Sequence, residues 1–171
     1  MKRLSILSAL LLAWGVSGGA NADDKVRGGL IGYQEVPAVS TVATGQFEAD
    51  IHRDEQAFDY ALTFEGLQGQ VRQAHIHFAQ RAVAGPIVIW LCGSETNPGP
   101  AGTQRCPQSG TVTGTVTAAN VLAGQAGQQL AAGEIGEIIA AMRAGAAYAN
   151  VHTDLSPSGE IRGQLRGNRR D

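Results

Sequence analysis

The chain has 171 residues, with 13 Lys and Arg against 15 Asp and Glu and a formal net charge of −2. Apart from the pairs Lys2-Arg3 and Arg169-Arg170 it has no basic run, so it lacks the electrostatic footprint that a phosphate backbone demands, and nucleic acid is excluded as the expected partner. The length suits one domain with its own core, and an aromatic content of 5% argues against a sugar-binding platform of exposed rings.

Residues 1–22 read as a secretory leader. Met1-Lys2-Arg3 precedes an apolar run from Leu4 to Val16, and small residues end at Ala20-Asn21-Ala22 before Asp23-Asp24, which is the charged, apolar and cleavable order of a signal peptide. The run is shorter than the roughly 20 apolar residues of a bilayer span, and no later stretch approaches that length, so no membrane anchor is expected. Export would leave 23–171 as a single domain, periplasmic or secreted.

Period-two alternation dominates the chain beyond the leader. A first strand is expected at Gly28 to Tyr33. Phe47, Ala49 and Ile51 alternate with Glu48, Asp50 and His52, and Phe58, Tyr60, Leu62 and Phe64 alternate with polar or small residues; with Asp54-Glu55 between them, the two runs predict a hairpin with one buried face. Val71 to Phe78 alternates again. Ile87 to Leu91 is apolar on both faces and is expected as a central strand with Trp90 in the core. Cys92 and Cys106 then bracket a segment rich in Gly, Pro, Ser, Thr and Asn. An oxidising compartment favours a disulfide over two buried thiols, and closing a loop of that length contributes about 3 kcal/mol by the chain-entropy relation.

Thr111 to Thr117 is rich in β-branched residues. Ala118 to Leu122 reads as a helical turn capped by Thr117, and Gly133 to Ala144 as a helix, with Ile135, Ile138, Ile139 and Met142 at helical spacing and Gly145 as the stop. Strands are expected again at Ala147 to Thr153 and Glu160 to Leu165, around the turn Ser156 to Gly159. The fold class is therefore all-β, an antiparallel sandwich or barrel of about eight strands with one short helix in a crossover.

The candidate chemistry lies in three histidines. His75 and His77 stand two apart in a strand, which directs both imidazoles to one face; His152 alternates with Ala149 and Val151 and so faces away from the core in its own strand. If the two strands are neighbours, the three rings converge. Three neutral nitrogen donors suit copper or zinc, with Asp154 or Glu160 as a further ligand or as a partner that fixes a ring tautomer. The competing reading has the histidines simply hydrogen-bonded on a sheet face. Glu160 and Arg162 share a strand face and are expected to pair, or Arg162 orients an anion beside the histidines. His52 reads as ordinary surface, and Glu35 as a strand-end carboxylate before a proline. No serine lies in a nucleophile frame.

Five segments in order carry a resemblance: Gly32-Tyr33-Gln34-Glu35-Val36-Pro37, Ala74-His75-Ile76-His77, Gly85-Pro86-Ile87-Val88, Gly145 to Thr153, and Pro157 to Leu165. Together they resemble the CHRD domain, named for repeats in the extracellular protein chordin and also found singly in secreted bacterial proteins. The resemblance implies an extracytoplasmic β-sandwich or barrel and places His75, His77, His152, Glu160 and Arg162 on the family's segments; it implies no reaction. The histidine arrangement is also similar to the copper site of copper-zinc superoxide dismutases, without their bridging and further zinc histidines. Three functions emerge as expectations: a metal-binding module, a copper-dependent oxidoreductase, or a structural or adhesive domain that acts through unspecified protein or polysaccharide contacts.

Overall fold

The computed structural model describes residues 24–168; the expected leader and the terminal arginine pair lie outside them. The strands are β1 (Lys25–Ile31), β2 (Thr44–Ile51), β3 (Ala57–Glu65), β4 (Val71–Phe78), β5 (Ile87–Cys92), β6 (Gly110–Thr117), β7 (Ala147–Thr153), β8 (Ile161–Gln164) and the short β9 (Arg166–Gly167). They form one antiparallel sheet in the order β5-β4-β7-β8-β1-β2-β3-β6, with β9 beside β1. The sheet curls into a nearly closed barrel. Its open edges meet at a seam, where Tyr60 Oη on β3 donates to Leu91 O on β5 at 2.9 Å.

The alternating residues fill the barrel as the sequence pattern requires. Phe47, Phe58, Leu62, Phe64, Ile76, Ala149, Val151 and Ile161 are all buried in one core, and each large side chain contributes about 1.5–3 kcal/mol by leaving water. The helix α1 (Ile135–Ala144) lays Ile135, Ile138, Ile139 and Met142 against that core and stops at Gly145, which is left-handed at φ 77. The turn at Ala118–Asn120 is a 3-10 turn, where Asn120 Oδ1 accepts from the Thr117 backbone N–H and hydroxyl. Cys92 and Cys106 form the expected disulfide.

The first strand and the run Ile87 to Leu91 differ from expectation in ways that bear on the site. β1 begins at Lys25 because Val26 is buried while Lys25 and Arg27 reach Asp50 and Glu48 on the neighbouring strand. It ends before Gly32, whose carbonyl accepts from Glu35 N and Val39 N and so turns the chain away. The run Ile87 to Leu91 is an end strand of the sheet rather than a central one. It is apolar on both faces because its free edge and outer side are covered: Leu122 N donates to Val88 O at the edge, and Gly99 in the disulfide loop lies against the ring of Trp90, which is half-buried on the outer side beside His75 rather than in the core.

Candidate metal centre

The histidine site is built on the outer face of β4, β7 and β8. The register places Gln73 opposite His152, His75 opposite Asn150 and His77 opposite Tyr148, and Asn150 and Tyr148 opposite Arg162 and Gln164 on β8. The condition set by the sequence is thus met, since β4 and β7 are neighbours. One ligand nitrogen from each of His75, His77 and His152 lies within 4.8 Å of the others. Three nitrogens about 2 Å from one ion stand roughly 3.5 Å apart, so the rings need to close by about an ångström to share it.

This face points away from the barrel interior, yet it is dry. His75 is 0% exposed, and His77 and His152 are 6% exposed. Trp90 covers one side, edge-on to His75 with ring centroids 4.2 Å apart. Tyr148 lies flat on His77 at 4.7 Å, and the Arg162 guanidinium stacks on Tyr148 at 3.4 Å. The connection from β4 to β5 closes over them, because Arg162 Nη2 donates to Val83 O at 3.0 Å. The sequence pattern marks a face turned from the core; it does not show that loops roof that face.

Hydrogen bonds fix the tautomers. A carbonyl only accepts, so His77 Nδ1–H donates to Gly85 O and His152 Nδ1–H donates to Pro157 O, each at 2.9 Å, leaving Nε2 with a lone pair in both rings. His152 Nε2 faces both His75 Nδ1 at 3.3 Å and Asn150 Oδ1 at 3.0 Å. His75 Nε2 and His77 Nε2 are buried without a partner. Burial holds all three imidazoles neutral: desolvation lowers the pKa of His75 to about 2 and of His77 to about 4, and lowers that of His152. Buried polar atoms ordinarily find partners; two imidazole nitrogens without any, in a cluster of three rings, form a donor set that a cation can take.

The neighbouring charged residues take separate roles. Glu160 accepts from Thr41 Oγ1, Gln68 N and Thr153 Oγ1, each at 2.8 Å. The expected ion pair with Arg162 is not formed: Glu160 precedes β8, where the chain turns at Gly159 (φ 123), and its carboxylate is directed to the Gln68 and Gly69 amides. Asp154 accepts from Gln70 N at 2.7 Å and lies 3.6 Å from Arg72. Glu160 and Asp154 therefore brace the turn that carries Pro157 O. His52 lies on the surface, 3.0 Å from Asp59.

Glu35 and Asn150 are the residues that sequence reasoning missed. Glu35 is 7% exposed, its Oε1 has no partner, and desolvation raises its pKa to about 7 against the opposing pull of Arg162 and a hydrogen bond with Asn150. Asn150 in turn lies 3.0 Å from His152 Nε2. The period-two rule that placed His152 places Asn150 and Tyr148 on the same face, so that signal was present; nothing local marks Glu35 as buried.

A cavity of about 250 Å³ bordered by Arg72, Asn97, Asp154 and Pro157 meets the cluster at His152. A larger trough of about 560 Å³ lies on the outer face of β2 and β3, bordered by Thr44, Gln46, Glu48 and Thr63, and touches none of the histidines. Among the described residues no helix is long and apolar enough to cross a membrane.

No curated protein and no solved structure matches the chain. The model of the CHRD domain matches residues 27–165, a stretch that runs from within β1 to just past β8. The chain belongs to the CHRD domain family.

Proposed function

We propose that this CHRD domain is an extracytoplasmic binding module that holds one copper or zinc ion through His75, His77 and His152. The observation that carries the reading is the set of three buried, neutral imidazoles with one ligand nitrogen of each within 4.8 Å of the others, two of the rings keeping a buried Nε2 without a protein partner. Imidazole is a good ligand for both ions. The carbonyls of Gly85 and Pro157 hold two of the rings in the ligating tautomer, the role that outer partners fill in metal sites. Arg162 supports His77 through the Tyr148 stack, and Asp154 and Glu160 act at a distance by bracing the Pro157 turn. Location outside the cytoplasm is supported by the leader-like start, by the family and by the disulfide.

The test is equilibrium dialysis of the purified protein against micromolar copper or zinc. Uptake of one ion per chain, reduced at least tenfold by His152→Gln, supports the site. Uptake of neither ion removes the reading.

A further inference from the structure

The charges around the cluster point to the kind of cation it holds. We propose that the three-histidine cavity is a site for a soft monovalent cation, cuprous copper, in preference to a divalent ion; this rests on the three-histidine metal reading and narrows it. All three donors are neutral, and among the described residues no carboxylate joins them within ligand distance. Asp154 is spent on Gln70 N and Arg72, and Glu160 on Thr41, Thr153 and the Gln68 amide. Cys92 and Cys106 are joined to each other, so no thiolate is at hand.

Glu35 reaches the cluster only through Asn150, and burial holds its carboxyl toward the neutral form, so no anionic ligand offsets the charge of an incoming ion. The cost of moving an ion from water into a dry site rises with the square of its charge, so a dication suffers about four times the penalty of a monocation of like size. The one buried cation nearby adds to the difference. Arg162 stacks on the far side of Tyr148, whose other face covers His77, and its repulsion doubles for a doubly charged ion. A divalent ion would also seek a fourth, preferably anionic, ligand. Three imidazoles complete the shell of a three-coordinate monovalent ion. Trp90 and Tyr148, which wall the site on two sides, present aromatic surface that a soft cation tolerates and a strongly hydrated one does not.

The experiment compares three ions on the same protein. Cu(I), kept reduced by ascorbate without oxygen, is titrated against bathocuproine disulfonate. Zn(II) is titrated against a chromophoric zinc chelator, and Ag(I), monovalent and redox-inert, is followed by quenching of Trp90 emission. The expected result is one Cu(I) and one Ag(I) per chain, with Cu(I) held at least about a hundredfold more tightly than Zn(II). Arg162→Met, checked by thermal melting for a folded state, is expected to raise Zn(II) affinity by about tenfold and to change Cu(I) affinity less. Zn(II) binding as tight as Cu(I), or equal effects of Arg162→Met on both ions, would overturn the preference while leaving the three-histidine site in place. Retention of none of the three ions would overturn both.

Discussion

Glu35 carries a carboxyl into a region with one cation, Arg162, and little water. Its pKa of about 7, against 4.5 ordinarily, means that the folded protein holds the proton more tightly than the unfolded chain does. The resulting stability is fully present below about pH 4.5 and is lost as pH rises through 7, an effect on the order of 3 kcal/mol. Glu35→Gln removes this dependence. The stability of that variant relative to the wild type, measured by urea unfolding, is expected to increase between about pH 4.5 and 8; parallel profiles would show that Glu35 is not buried as described. Gly159 makes the same environment sensitive to a single methyl. Its φ of 123 is hostile to a side chain, and a Cβ there would overlap Glu35 Oε1 and press on Asn150 Nδ2. Gly159→Ala is expected to cost about 2–3 kcal/mol, read as a lower urea midpoint; an unchanged midpoint would contradict the packing.

At the scale of elements, the site depends on loops that cross the outer face of the barrel. The disulfide loop fills the seam between the end strands, where Gln104 Nε2 donates to Thr113 O on β6 at 2.8 Å and Gly93 pairs with Arg105. It also lies against Trp90. Replacing both Cys92 and Cys106 by Ser is expected to cost about 3 kcal/mol by loop-closure entropy and to shift Trp90 emission to the red as its cover loosens. A stability loss with no change in emission would separate the loop from the site. The strands themselves were legible in the sequence because each has one buried face and period-two alternation needs no knowledge of neighbours. The misreading of β5 has a physical cause: an end strand covered on its outer side by a loop has the same apolar composition as a central strand covered by sheet neighbours. The three histidines were legible through the same alternation. The roof over them was not, since the connections of Gly85, Pro157 and Gly99 to the sheet are set by tertiary contacts that leave no local pattern.

For the whole molecule, the barrel is a scaffold whose interior is apolar and whose chemistry is held outside it, in a polar layer sealed by loops. That layer sets an acid limit on stability. The pKa values of His75 and His77 are depressed by burial, to about 2 and about 4, so the stability they confer is present above the unfolded value of about 6.5 and is lost as pH falls toward those values. The metal-free protein is expected to lose several kcal/mol between about pH 6.5 and 4, as measured by urea unfolding. In a variant with His75, His77 and His152 all replaced by Gln that acid slope is expected to flatten; an unaltered slope would place the acid sensitivity elsewhere.

The most direct measurement is elemental analysis of the protein purified without a histidine tag, beside the variant His75→Ala, His77→Ala, His152→Ala. A three-histidine metal site predicts close to one copper or zinc per chain in the wild type and none in the variant. Equal trace metal in both would contradict it and leave the histidines as hydrogen-bonded groups of a sealed polar layer.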